Sequence, residues 1–299
     1  MSGFKKRHIG KAEFMRLKRK NNNSYLLFLL PSLLGIGIFT IIPFGDVLRR
    51  SFYNAMVTQF VGINNYNTVI RNSAFRLAVW NTFKFSVTAI PLLLVVSFML
   101  ALLISDGMSK GRAFKSIFLF PMAVPTASVV LIWKVVFHNQ GILNGILVHM
   151  GNTKKPWMDS GTAFVVLVGS YLWKNLGINI ILWLAALNEV EPEVYEAAGV
   201  DGAGLFSKLF FITIPCLKST IGTISILALL NSFKVFREAY LVAGDYPHES
   251  IYLLQHVFNN WFRELSLDKL ASGAVISAFI IYLFVIFLQK QWSDKEGES

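Results

Sequence analysis

Residues 81–104, NTFKFSVTAIPLLLVVSFMLALLI, contain a single ionisable side chain, Lys84. A run of this length and polarity matches the hydrocarbon core of a bilayer, which is about 30 Å thick and takes about 20 helical residues to cross. The run does not alternate with period two, as the roughly ten-residue segments of a transmembrane barrel would. A helix satisfies its own backbone hydrogen bonds in lipid, so the stretch reads as a membrane-spanning helix.

Five further blocks of the same kind lie on either side, at about 25–44, 116–137, 163–187, 219–242 and 271–288. The chain is 299 residues long, with 54% hydrophobic and only 15% charged residues, where soluble domains carry about 25% charged. The fold class expected is therefore all-α: a polytopic membrane protein with six transmembrane helices. They occupy residues 25–288, between a basic tail (1–24) and a short C-terminal tail (289–299). The first block reads as a span rather than a cleavable signal peptide, because it is too long and no small-residue cleavage site follows IIPFGD. Cys216, the one cysteine, has no partner within the chain for a disulfide.

The net charge of +11 does not point to nucleic acid, because most of it sits in one place. Residues 1–20 alone carry eight Lys/Arg and one Glu. Such a cluster just before a first span places the N-terminus in the cytoplasm, and binding to anionic lipid follows from it. The loops agree: segments 1–24, 105–115, 188–218 and 289–299 hold 15 Lys/Arg, against 8 in segments 45–80, 138–162 and 243–270. Both termini are expected inside.

The cytoplasmic loop 188–218 breaks the pattern. It contains Glu189, Glu191, Glu193, Glu196 and Asp201 against Lys208 and Lys218. Acidic residues weigh little on topology, yet an acidic loop beneath a basic membrane protein suggests a basic partner. Pro192 suits the first turn of a helix, and Glu193 and Glu196 suit the positive end of its dipole. Gly199 and Gly202 are expected to break that helix. A second helix comes next, with Phe206, Leu209 and Phe210 on one apolar face, until Pro215 leads into span five. These features alone leave open an ordinary amphipathic connector. The three glycines of GVDGAG are in the wrong order for a nucleotide-binding loop, and no G-x-x-x-x-G-K-[ST] occurs in the chain.

The stretch EAAGVDGAGLFSKLFFITIP resembles the EAA signature of ABC-importer permeases. Glu196, Ala197, Ala198, Asp201, Gly202, Ala203, Ile212 and Pro215 match it, and Leu209 stands where phenylalanine is usual. LLPSLL and IIPF near span one, FVGINNY at 60–66 and FLFPMAVP at 118–125 extend the likeness to the carbohydrate branch, the maltose-type permeases. The stretch FKVFREAYLVAGDYP is similar to that branch as well, with Asp245 and Tyr246 where its members have glycines.

This resemblance implies the maltose-type (type I) ABC importer fold in a prokaryotic cell membrane, plasma or inner. It implies a non-catalytic subunit whose EAA helices dock on a separate cytoplasmic ATPase dimer, with Glu196 as the charged contact and Gly202 as the turn. ATP and Mg would be bound by that partner, and this chain would hold no cofactor or metal. A second homologous permease subunit, an extracellular solute-binding protein and a sugar or oligosaccharide substrate complete the implied assembly. A permease for another solute, such as a glycerol phosphodiester, remains an alternative, and a stand-alone secondary transporter is a more distant one.

Ionisable residues within spans are functional candidates by default. Lys84 and Lys134 lie near span ends, where a long stem can snorkel. Lys174 lies near the middle of span four, and Tyr171, Lys174 and Asn175 share a helical face. In span five Asn231, Lys234 and Glu238 line up similarly, with Ser232 beside them. Sugar recognition needs hydroxyl-directed donors and acceptors with an aromatic surface. Tyr171, Lys174, Asn175, Asn231, Ser232 and Lys234 are therefore the candidate substrate contacts. A Lys174–Glu238 or Lys174–Asn pair that merely joins helices stands beside that reading. The five histidines are scattered without metal-site spacing, and neither H-E-x-x-H nor G-x-S-x-G occurs.

Overall fold

The computed structural model describes residues 28–105, 120–121 and 123–293. The basic tail, the residues expected to open the third span and the last six residues lie outside it. Among the described residues all regular structure is helical, apart from one β-bridge between Tyr53 and Phe60. The helices are numbered in chain order. Five are long and apolar enough to cross a membrane: α1 (Phe28–Arg50), α3 (Ser73–Ser105), α6 (Thr162–Leu187), α9 (Lys218–Ala243) and α11 (Leu267–Ser293). Shorter helices lie between them: α2 (Asn64–Arg71), α4 (Thr126–Phe137), α5 (Ile142–His149), α7 (Pro192–Val200), α8 (Leu205–Cys216) and α10 (Leu254–Arg263).

Four of the six apolar blocks become long helices that overrun their expected starts, and α3 begins eight residues before Asn81. At 33 residues it is about 50 Å long, well beyond the hydrocarbon thickness. The block at 25–44 likewise continues as helix to Arg50. The third block behaves differently. A span is expected over 116–137; among the described residues it is helical at 120–121 and 123 and again as α4, 12 residues, with Pro125 between them in an extended conformation. Proline pushes the residue before it out of the α region, and PMAVP places two prolines four apart. By itself α4 is about 18 Å long, short of a full crossing.

The bundle is centred on α3 and α6, whose contact is the most extensive in the structure. Phe85, Ala89 and Leu93 of α3 meet Leu167 and Tyr171 of α6 and Ala228 of α9 in one buried cluster. A second cluster, at the end nearer the 188–218 loop, joins Ala101 to Ile180, Trp183, Leu217 and Ile224. Polar links cross the interface: the Trp183 indole donates to Ser97 Oγ at 2.9 Å, and Ser97 donates in turn to the Leu93 carbonyl. A hydrogen bond within lipid has no water to compete with it, so small hydroxyl residues serve as interhelical glue.

At the opposite end, α2 and α10 cap the bundle through Val69, Phe75, Tyr252, Val257 and Trp261. Asn81 holds this cap by donating to the carbonyls of Glu249 and Tyr252, at 2.5 and 3.0 Å. The α10–α11 contact is tight at Gly273, where a Cβ would lie 2.9 Å from the Phe258 ring and 3.0 Å from Trp261. By contrast α1 buries no residue and leans on α11. Its apolar side chains face outward, as a lipid-facing helix requires.

Candidate functional site

The α-helical rise of α9 is interrupted by a 3₁₀ turn at Phe233–Val235. In a 3₁₀ turn residues i and i+3 eclipse, which brings Asn231, Lys234 and Arg237 into one row. The face of α6 opposite carries Tyr171, Lys174, Asn175 and Ile178. Between the two helices, with Thr126 at the start of α4 closing one side, lies a cavity of about 250 Å³.

Its centre is an ion pair. Lys174 Nζ donates to Glu238 Oε1 at 2.6 Å and to Thr126 Oγ1 at 2.7 Å. The Glu238 side chain is 8% exposed and that of Lys174 is 25% exposed. Glu238 Oε2 is buried and accepts no hydrogen bond among the described residues. Thus one carboxylate oxygen is spent on the ammonium and the other is left over. Lys234 Nζ donates to Asn231 Oδ1 at 2.8 Å, on the exposed side of α9.

Five of the six sequence-derived contact residues line this cavity: Tyr171, Lys174, Asn175, Asn231 and Lys234. Ser232 does not. The turn directs it into the bundle, where it is buried, donates to the Leu229 carbonyl at 2.6 Å and approaches Ser86 Oγ at 3.4 Å. Tyr171 presents only part of its ring, because its hydroxyl donates to the Ala228 carbonyl at 2.7 Å. The amide of Asn175 donates back to the Tyr171 carbonyl.

Glu238, which the sequence aligns with Asn231 and Lys234, forms the Lys174–Glu238 pair that stood beside the binding reading, closing onto Lys174 near the middle of α6. Two other polar lining residues were not among the sequence candidates. Arg237 joins the row through the 3₁₀ spacing, which nothing in FKV announces. Thr126 arrives because the chain breaks just before it, and the signal that could have found it is Pro125. Elsewhere, Lys84 stands 4.6 Å from the centre of the Phe164 ring, a cation–π contact away from the cavity.

The loop between α6 and α9 is a helical hairpin. Pro192 occupies the first turn of α7, where its missing N–H leaves nothing unsatisfied, and Glu193 lies beside the positive helix end. Gly199, expected to break this helix, lies within it. The break comes at Gly202 (φ +77°), with Ala203 N donating to the Ala198 carbonyl and Gly202 N to that of Gly199. This is a Schellman ending, in which the residue after the cap takes a left-handed conformation open to glycine. Gly199 has a different reason to be small: a Cβ there would stand 3.2 Å from Lys208 Nζ.

Lys208 clasps the hairpin by donating to the Tyr195 carbonyl at 3.0 Å, and the Tyr195 hydroxyl lies 3.0 Å from Thr213 Oγ1. Glu196, Ala197, Asp201 and Pro215 are exposed, and Ala198 and Ala203 partly so. Phe206 and Phe210 of the expected apolar face turn outward with Val200, Leu205 and Phe211, forming an uncovered apolar surface beside the acidic residues. The sequence expectation of an acidic, partner-seeking insert thus corresponds to an exposed hairpin with a greasy flank.

Residues 93–292 match a family model described as "Binding-protein-dependent transport system inner membrane component". The arabinooligosaccharides transport system permease protein AraP of Bacillus subtilis is 32% identical over 270 residues, covering 88% of this chain and 84% of AraP. The sn-glycerol-3-phosphate transport system permease protein UgpA of Escherichia coli is 27% identical over 281 residues, covering 91% of this chain and 94% of UgpA. A bacterial ABC transporter involved in the import of the acidic polysaccharide alginate has a chain of the same fold. It superposes with a TM-score of 0.81 at 22% identity, over 94% of this chain and 99% of that one.

Proposed function

Because this chain belongs to the inner-membrane components of binding-protein-dependent transport systems, a family of multi-pass membrane proteins, we propose that it is a permease subunit of an ATP-driven ABC importer. It forms half of a translocation path with a second, homologous permease. A cytoplasmic ATPase dimer binds the ATP and Mg, an extracellular binding protein delivers the solute, and this chain catalyses nothing. Six spans with both termini inside complete the topology, the third running through α4. The solute class is a sugar or oligosaccharide, in line with the similarity to AraP and with the sugar-branch stretches of the sequence.

The observation that carries the reading is the connection between the hairpin and the cavity. The helices that bound the cavity, α6 and α9, are the two that the α7–α8 hairpin joins. Only the short segment 188–191 separates α6 from α7, and Leu217 alone separates α8 from α9. A force applied to an internally clasped hairpin therefore reaches both walls of the cavity. Closure of the ATPase dimer would swing α6 against α9 and alternate the access of the cavity. That is a differential contact acting on a bistable element, as coupling between distant sites requires.

The test is ATP-driven uptake into vesicles holding the complete importer. With Glu196→Lys the membrane fold and complex should survive, while uptake falls about tenfold or more, since a like-charge contact now faces a basic partner. Normal import by that variant refutes the coupling role, and uptake that runs on an ion gradient without ATP refutes the importer. A second reading, an importer of another solute such as a glycerol phosphate or its diester, draws on the similarity to the sn-glycerol-3-phosphate permease UgpA and is decided by the same vesicles with labelled solutes.

A further inference from the structure

The cavity between α6 and α9 is lined by four ionisable side chains besides Tyr171: Lys174, Lys234, Arg237 and Glu238. Lys174 and Glu238 neutralise one another at 2.6 Å. Lys234 finds only a neutral acceptor, Asn231 Oδ1. Arg237 makes no ion pair among the described residues, where the only three pairs are Arg50–Asp46, Lys174–Glu238 and Arg263–Asp245. Two cations on a membrane-spanning helix are thus left without counter-charge.

Such charges cannot face hydrocarbon, so they border water or a partner protein. In a cleft with low-dielectric walls they focus a positive field on whatever occupies it. A neutral sugar would have to displace water from both cations in exchange for weaker bonds. An anion gains charge-assisted bonds instead, and the arginine fork fits carboxylate or phosphate equally.

A second observation narrows the class. The amides of Asn175 and Asn231 stand on opposite walls beside the two cations, and amides both donate to and accept from hydroxyls. Glu238 gives Oε1 to Lys174, and its Oε2 is shut away from the cavity surface.

We infer that the solute carried through this cavity is a hydroxylated anion, either an acidic saccharide or a phosphorylated polyol, held by Lys234 and Arg237 at its charge and by Asn175 and Asn231 at its hydroxyls. This deepens the importer reading and rests on it. The shared chemistry is a negative group beside vicinal hydroxyls, and carboxylate and phosphate are separated by experiment.

The complete importer, purified through a tag on this chain and reconstituted with its binding protein, is assayed for ATP-driven uptake. The probes are digalacturonate, glucose 6-phosphate, sn-glycerol 3-phosphate, maltose and maltotriose. The expected result is uptake of at least one anion in preference to both neutral sugars, with uronate and phosphate arms distinguishing the source. In the double variant Lys234→Gln/Arg237→Gln that preference should shrink about tenfold or more, while solute affinity of the isolated binding protein is unchanged. ATP-driven uptake restricted to maltose or maltotriose overturns the inference and leaves the importer standing. Absence of ATP-driven uptake for every probe overturns both. The wild-type preference alone decides, so a variant that fails to assemble does not rescue the inference.

Discussion

The Lys174–Glu238 pair permits a prediction whose sign separates an ion pair from two independent residues. Replacing Lys174 with Met strips the Glu238 carboxylate, 8% exposed, of the only hydrogen bond it accepts among the described residues. Breaking a buried pair from one side costs about 3–5 kcal/mol, because a charge or a neutralised acid is left among apolar groups. Glu238→Met is milder, about 2 kcal/mol on the same scale, since Lys174 keeps Thr126 and a quarter of its side chain remains exposed. Removing both together leaves two flexible apolar side chains in contact, and such replacements are often neutral. The double variant should therefore be more stable than either single one, with a coupling of about 2 kcal/mol or more. The assay is thermal unfolding of the purified complex, in which 1 kcal/mol corresponds to about 2–4 °C for large domains. Lys174→Met should lower Tm most, Glu238→Met by roughly half as much, and the double variant least. Additive losses in the double variant would refute the pair as the link between α6 and α9.

Gly202 adopts φ +77° at the hairpin turn; Gly202→Val should cost about 1–2 kcal/mol locally and appear as faster proteolysis between α7 and α8. In Gly273→Ala the new Cβ would approach Phe258 and Trp261 within 3.0 Å. The α10–α11 contact should weaken by about 1–3 kcal/mol, read as a lower Tm with transport topology intact. His256, fully buried in the cap that α2 and α10 form, accepts a hydrogen bond from Leu253 N on Nδ1. Burial pushes its pKa down from 6.5 to about 4. The unfolded chain then binds more protons between these values, so stability is full above about pH 6.5 and declines as pH falls toward 4. A loss of about 2 kcal/mol between pH 7 and pH 5 is expected. His256→Gln should flatten that dependence in denaturation experiments, and an unchanged slope would show the histidine is not its origin.

What the sequence determined by itself was the membrane, the helical class and the acidic α7–α8 hairpin. Uncharged runs such as 92–104 leave the backbone in lipid no alternative to a helix, and that constraint needs no tertiary information. Pro192, Gly202 and the acidic residues around them act over a few bonds, so the hairpin's start, turn and charge could be read directly. The five cavity residues on the faces of α6 and α9 came from helical periodicity in the same way.

Tertiary structure decided everything that depends on a departure from ideal helix or on a neighbour's position. The 3₁₀ turn at Phe233–Val235 rotates the later part of α9 against its start, leaving Ser232 inward and bringing Arg237 to the cavity beside Glu238. Pro125 makes α4 start at Thr126, yet only folding shows that Thr126 then meets Lys174 from 48 residues away. Gly199 does not end its helix, and a Cβ there would approach Lys208 Nζ across the hairpin, a neighbour that only folding supplies. Local sequence sets dihedral preferences and which residues seek lipid. Which charge finds which counter-charge is fixed only when separate helices meet, because in a low-dielectric interior an ion's energy depends on every polar group within a few ångströms of it.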